Sequence, residues 1–398
     1  MEKPKGWIQA FHILATALTP LIKNKRRVIF FDEFPWINTP RSGFMPAFEN
    51  FWNTWASRQK NLVVVISGSA AAWMIRHVIR NRGGLHNRVT SKIRLLPFTL
   101  GETALFLKSR NSKLDYYQVM QLFMAMGGVP EYLRQVQSDE STAQAIDRIC
   151  STKDGYLHDE FRNLYSSLFD RPENHISVIR ALAVNGKGLR RDEIINICKF
   201  SSGGGTTQIL EELTESGFIT PYIPFGKKVK DNIFKLKDEY SAFYLKYIER
   251  KVAGGTGSWG KFITGSSWKI WSGFAFESLC MKHITQIKRA LGIAGVYSET
   301  SVWQHRSVAV EQGAQIDLLI DRQDHTISLC EMKFTDRPFE ITKGYAIELK
   351  TKESVFREQT QTRKTTMLVL VTTYGVKNSG NYPGLVQGEV SMEALFKL

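Results

Sequence analysis

Apolar residues come first in runs and later in periods. Residues 26–32, containing Val28-Ile29-Phe30-Phe31, form a near-continuous apolar run, the pattern of a strand covered on both faces of a parallel sheet. Asn61-Leu62-Val63-Val64-Val65-Ile66-Ser67 repeats the pattern and ends in Ser67-Gly68-Ser69. Helices are predicted before the first run (6–23), between the runs (44–58, rich in aromatics) and from Ala70 onward. Strand, helix and strand in that order predict α/β architecture with a parallel sheet. A third, shorter strand is expected at 92–96, where Pro97 would stop it.

From Phe98 to about Tyr165 the pattern turns helical. One helix opens at Leu100-Gly101-Glu102. A second covers 116–126 and ends at Gly127-Gly128-Val129-Pro130, a strong stop, and the next begins at Glu131. Residues 174–237 read as three helices (175–184, 191–198, 206–216) followed by two alternating strands (218–223, 232–236), which is winged-helix order. Residues 252–265 are rich in Gly and Ser and read as linker. After them come a long amphipathic helix (274–291) and strands at 315–321, 326–334 and 366–372. The whole is α/β and multidomain, with expected parts at 1–97, 98–170, 171–245, a linker at 246–267, and 268–398.

Composition narrows this picture. At 398 residues with 43% apolar and 23% charged content, the chain is ordinary globular protein rather than disordered. Cys150, Cys198, Cys280 and Cys330 are scattered without metal-ligand or CxxC spacing, which fits a reducing cytosol and no disulfide framework. The run 62–75 is too short to span a bilayer, so no membrane partner is expected. A net charge of +15 favours polyanionic partners, nucleic acid among them; 76–94 holds six Lys/Arg and no acid.

Two constellations carry candidate chemistry. Asp32-Glu33 ends the first apolar strand as a Walker B pair does: Asp32 to hold Mg²⁺, Glu33 to polarise an attacking water. The plain alternative is a hydrophobic strand ending in a surface turn. Ser69, closing the next strand, is placed to sense a γ-phosphate, and Arg88 lies where an arginine finger could sit. A nucleotide site also needs a glycine-rich cradle upstream, and residues 1–25 read as one helix. Gly255-Thr-Gly-Ser-Trp-Gly260-Lys261-Phe262 imitates that cradle, but Phe262 is no Mg²⁺ ligand and no strand precedes it, so it reads as linker.

The second constellation is Asp317 on the strand 315–321 with Glu331 and Lys333 ending the strand 326–334. With the turn centred near Gln323, period two puts Glu331 and Lys333 on one face and Asp317 almost opposite Glu331. Two carboxylates on adjacent strands can hold Mg²⁺, and the lysine can orient or help deprotonate a water. The plain alternative is a hairpin with a surface Glu/Lys pair; against it, these charges interrupt apolar strands, where an unpaired charge is costly. The spacing resembles the D…ExK layout of the PD-(D/E)XK nucleases, a likeness that implies an additional acid at Glu277 on the preceding helix. In the winged-helix segment the third helix carries Glu211, Glu212 and Glu215 and no base, which suits phosphate contacts poorly, and the histidines, His283 included, read as packing or surface residues.

The joint order of Val28-Ile-Phe-Phe-Asp-Glu-Phe-Pro-Trp36, Ser67-Gly-Ser69, Leu85-His-Asn-Arg88, Leu96-Pro-Phe98 and Gly127-Gly-Val-Pro130 resembles the archaeal-type AAA+-related P-loop ATPases, which also occur in bacteria. The resemblance spans essentially the whole chain. It implies a partial P-loop ATPase core with Walker B and sensor, a helical lid, a winged helix and a C-terminal restriction-endonuclease-like domain. By it Asp32 is the Mg²⁺ residue, Glu33 the base, Ser69 the sensor and Arg88 the finger, although Asn87 stands where the family usually has a small residue. Mg²⁺ and ATP are the implied cofactors; nucleic acid and, through a finger acting in trans, a homo-oligomer are the implied partners. The expected Walker A is absent, with Met1 where the family would be midway through its ATPase core, so the chain reads as a fragment, a late start or a degraded member. The expected function is an ATPase-family protein with a metal-dependent nuclease-like domain. The alternative is a non-catalytic regulatory or scaffolding protein with degenerate folds.

Overall fold

The computed structural model describes residues 3–81, 83–249, 259–260, 263, 265–305, 313–377 and 384–398. All of the imitation cradle at 255–262 but Trp259 and Gly260, and most of the expected linker, fall outside them. The chain is mixed α/β and divides into two compact units. Unit one comprises residues 1–95, 165–172 and 207–216; unit two comprises 96–164, 173–206 and 217–398.

In unit one, β1 (Arg27–Phe31) pairs in parallel with β2 (Leu62–Ile66), Phe31 opposite Ile66. Helices α1 (Trp7–Leu18) and α2 (Phe44–Thr54) flank them. Phe11, Phe34, Phe44, Phe48 and Phe51 form the core, with Ile29, Phe31, Val64 and Ile66 packed against it. Phe11 stacks on Phe51 with centroids 4.9 Å apart, a geometry that aromatic quadrupoles favour. Two expectations are corrected here. The first apolar run is covered on one face only: Val28 is 61% and Phe30 58% exposed, because the sheet has two strands and the core lies on the side of Ile29 and Phe31. Residues 92–96 form no strand; they find no ladder partner, and Ile93 and Leu95 are exposed. The first helix is also shorter than 6–23, ending at Leu18, and the one after Ala70 is a single α-turn (Ala71–Met74) running into a π-turn.

Unit two begins with α3 (Leu100–Ser109) and α4 (Tyr116–Met126). Both start with capping boxes, Thr99 with Glu102 and Asp115 with Gln118. The α4 stop is physical: Gly127 has φ +69, and a Cβ on Gly128 would lie 2.0 Å from the Phe98 carbonyl oxygen. The helix expected from Glu131 is only the single turn Pro130–Leu133. Next come α5 (Pro172–Val184) and α6 (Arg191–Cys198), and a small antiparallel sheet ordered β3 (Leu189–Arg190), β5 (Ile233–Leu236), β4 (Ile219–Tyr222). Pro221 sits in the edge strand β4, where a missing N–H is tolerated.

α7 (Glu239–Tyr247) and α8 (Ser266–Lys282) lead into a five-stranded sheet ordered β10-β9-β8-β7-β6. Its strands are β6 (Ser298–His305), β7 (Ala314–Arg322), β8 (Thr326–Lys333), β9 (Thr365–Thr372) and β10 (Gly388–Val390). β6, β7 and β8 are antiparallel neighbours, and β8, β9 and β10 run in parallel. The parallel step from β8 to β9 is made by α9 (Lys343–Thr360), whose Leu349 and Phe356 pack on Ile327, Leu329 and Leu368. The expected long helix over 274–291 is instead broken at His283. Its ring bonds the Leu279 carbonyl at 2.8 Å through Nδ1, and Nε2 accepts the Leu100 N–H at 3.0 Å. Those two bonds fix the Nδ1–H tautomer and tie the end of α8 to the start of α3, a buried structural role for a residue that reads in sequence as packing or surface.

Candidate functional sites

In unit one, Asp32 and Glu33 leave the end of β1 beside the end of β2. Asp32 Oδ1 accepts from Ser67 Oγ at 2.5 Å and from the Glu33 N–H at 3.1 Å. Glu33 Oε2 accepts from Ser69 Oγ at 2.8 Å and from the Ser69 N–H at 3.1 Å. Glu33 has φ 45, a left-handed backbone that costs a non-glycine residue of order 1 kcal/mol and that clusters at functional sites. Gly68 allows the approach, since a Cβ there would lie 2.7 Å from Pro35 Cδ. The structure thus joins three of the predicted residues, Asp32, Glu33 and Ser69, and adds Ser67. Arg88 is exposed in a turn, its N–H bonded to the Leu85 carbonyl, with no ion pair among the described residues. The residues present do not fit ATP: no described strand–loop–helix presents converging N–H groups with a lysine, and both carboxylates are engaged by their own neighbours.

In unit two, Leu318 faces Cys330 across β7 and β8, and one step further that register sets Asp317 opposite Glu331. The expected hairpin and its turn are both present. Asp317 Oδ2 accepts the Met332 N–H at 3.1 Å. Glu331, 2% exposed, gives Oε2 to Lys352 Nζ of α9 at 2.7 Å, with Lys333 Nζ at 3.8 Å from the same oxygen. Lys352 also pairs with Glu348 one helical turn earlier, at 3.1 Å. Glu331 Oε1 and the hydroxyl of Tyr345 are buried without hydrogen-bond partners. The Tyr345 ring lies 5.2 Å from Lys333 Nζ. α8 brings Glu277 to the same acids.

The electrostatics show how closely these groups are assembled. Burial first, then the Asp317 charge, pushes the Glu277 carboxyl well above the usual carboxylate range. Glu331 is raised by the same two causes in the same order, against the pull of Lys352 and Lys333. Burial works against the Lys352 ammonium, but Glu331 and Glu348 outweigh it and hold its pKa above the ordinary lysine value. The structure therefore brings Glu277, Asp317, Glu331 and Lys333 together, and adds Lys352 and Tyr345. The sequence signal for Lys352 was the i,i+4 pair Glu348–Lys352, which by itself marks only a solvated helix face. No group of three or more His, Cys, Asp or Glu is arranged to hold a metal among the described residues. What fits a hard cation is narrower: Asp317 and Glu331 on neighbouring strands, Glu331 keeping a buried Oε1 without a hydrogen-bond partner.

No protein-family model matches the chain, and no curated protein matches it. Among solved structures it is similar to the Walker-type ATPase PABY2304 of Pyrococcus abyssi, at 15% identity over 60% of this chain and 67% of that one, with a TM-score of 0.42. It is also similar to protein VC1899 from Vibrio cholerae, at 10% identity over 98% of this chain and 77% of that one, with a TM-score of 0.24. Likenesses at these scores carry no argument about fold or function. No helix among the described residues is long and apolar enough to cross a membrane.

Proposed function

We propose that the chain is a metal-dependent phosphodiesterase of nucleic acid, with its chemistry at Glu277, Asp317, Glu331 and Lys333. In this reading residues 268–398 are a restriction-endonuclease-like domain and 171–245 a winged helix. One observation carries it: a buried carboxylate, Glu331, faces Asp317 and keeps an oxygen without a partner beside a lysine two residues on. Asp317 and Glu331 would hold Mg²⁺, which when bound supplies Lewis acidity toward a phosphoryl oxygen and lowers the pKa of a water. Lys352 anchors Glu331 through Oε2, which leaves Oε1 as the coordinating atom. Lys333, held over the Tyr345 ring, carries a positive charge to the phosphate and can move a proton at Nζ. Glu277, whose carboxyl burial and Asp317 hold well above the usual carboxylate range, keeps its proton more readily than an ordinary glutamate and can give or take one beside Asp317.

A second reading, a non-catalytic regulatory or scaffolding protein, is favoured by the two lysines already neutralising Glu331. Supercoiled plasmid incubated with Mg²⁺ or Mn²⁺ separates them. The phosphodiesterase nicks it and Lys333→Ala does not; no cleavage of any DNA or RNA leaves the second reading standing.

A further inference from the structure

A cavity of about 500 Å³ is lined by Glu277 and Asp317 and by Thr220, Tyr222, Lys235 and Leu236 of the β4 and β5 strands. That volume is the size that encloses one small molecule. A closed duplex presents a major groove about 12 Å wide with its bases stacked inside, and enzymes that reach a nucleotide in it must first extrude it.

Two side chains in the wall offer contacts to a ligand, Lys235 and Phe274, the second of which also packs its ring on Gly186. Lys235, on β5, lines the cavity together with Glu277 and Asp317, and its charge acts on the Glu277 carboxyl. It makes no ion pair among the described residues; its Nζ rests 5.8 Å from the Tyr222 ring. Its stem is seated over Gly188, where φ is +85 and a Cβ would lie 2.8 Å from Lys235 Cγ, so the backbone leaves room for this lysine. Phe274 of α8 lines the same cavity and is 44% exposed, an aromatic face on a concave surface. Of the other wall charges, Arg180 pairs with Glu249, Glu239 with Lys282 at 2.5 Å, and Asp238 accepts the Ser241 N–H at 2.7 Å.

We infer that this cavity takes a single unstacked nucleotide at the free end of a nucleic-acid strand, Phe274 receiving the base and Lys235 the phosphate next to the acids. Stacking on an aromatic ring tolerates any base, so the site reads strandedness rather than sequence. The inference rests on the phosphodiesterase reading and deepens it by naming the substrate form.

The test uses the full chain in Ca²⁺, with anisotropy of a short fluorescein-labelled single strand and of the same sequence as a duplex sealed by hairpins at both ends. Cleavage of both is then followed in Mg²⁺ or Mn²⁺. The single strand should bind at least about tenfold more tightly than the sealed duplex. Phe274→Ala and Lys235→Glu should each weaken it by about tenfold, the worth of one stacked base, while Lys235→Arg retains binding. Equal affinity for the sealed duplex, wild-type binding by both weakened variants, or no binding of either form overturns the inference. Deoxyadenosine monophosphate binding as tightly as the strand overturns the strand end in favour of a free nucleotide. A strand that binds through Lys235 and Phe274 but stays uncut removes the phosphodiesterase reading and leaves the binding site standing. Circular dichroism of each variant separates lost binding from lost folding.

Discussion

β1 and β8 are the same kind of strand, apolar until they end in acid, and they are buried in opposite ways. β1 has one covered face, and its terminal acids lean on hydroxyls and N–H groups of the neighbouring β2 turn. β8 is buried over all but its last residue, and its acid faces another acid, pairs with a half-buried lysine and keeps one oxygen without a hydrogen bond. The first arrangement satisfies its charges locally. The second gathers like charges out of water, which is costly unless something else uses them. Chemistry is better sought where charge is held at a cost than where it is at rest.

The largest effect should come from the half-buried cation, Lys352. Lys352→Met leaves Glu331 buried without its closest partner, a loss of about 3–5 kcal/mol. Its pH dependence has a definite sign. The Glu331 carboxyl is raised above its unfolded value, so the native state keeps a proton that the unfolded state has released, and stability falls as pH climbs from the ordinary carboxylate range toward the raised value. Removing Lys352 raises it further. Urea midpoints should therefore separate wild type and variant more at about pH 9 than at about pH 6. A gap that is constant with pH means Glu331 is not charged in the wild type.

The two strands can be set against each other directly. Leu329→Ala, deep between β8 and α9, should cost about 2–5 kcal/mol. Val65→Ala on the open face of β2 should stay within about 0.5 kcal/mol. Hydrogen exchange on β1 and β2 reads the second change locally. A Val65→Ala loss comparable to that of Leu329→Ala would mean that the open face is covered in solution.

This is also where sequence was mute. Valines and phenylalanines in a row announce a strand, but whether both faces are covered depends on how many layers reach it. The hairpin of β7 and β8 was legible because turn residues 321–325 fix its register, and register decides which carboxylates meet. α4 was legible because two glycines end it at a point where no Cβ fits. Lys352 and Lys235 were not: each comes to the acids from a separate element, α9 or β5, and tertiary convergence of that kind leaves no spacing to read. The β6 strand and the two-residue β3 were missed for the same reason, being defined by their partners more than by their own pattern.

His283 gives a smaller difference between the units. Burial holds its imidazole pKa below the ordinary value, against the Leu279 hydrogen bond that favours the charged form. The unfolded chain therefore takes up this proton first, and the contribution of His283 to stability drops as pH falls below about 6.5, against the opposite slope of Glu331. Its burial has no counterpart among the histidines of unit one, where His12 and His86 are exposed and His77 half-buried. His283→Leu should lose that acid sensitivity and be weaker by about 1–3 kcal/mol at neutral pH, because the Leu100 N–H is left without an acceptor. Urea melts across this pH range test both statements together, and an unchanged acid slope in the variant assigns the sensitivity elsewhere.

The smallest effect should be at the other acid site. Ser69→Ala removes a hydroxyl that meets Glu33 Oε2 at 2.8 Å, but water reaches this carboxylate and the Ser69 N–H still bonds it. The cost should be at most about 1 kcal/mol. The left-handed backbone at Glu33 gives the measurement a second edge: Glu33→Gly relieves the strain while deleting the acceptor, so the two changes should partly cancel. A double-mutant cycle with Ser69→Ala reads what remains. A coupling well above about 1 kcal/mol would show that Asp32 and Glu33 are held as tightly as the acids of β7 and β8, and the contrast between the two strand ends would then lie in exposure alone.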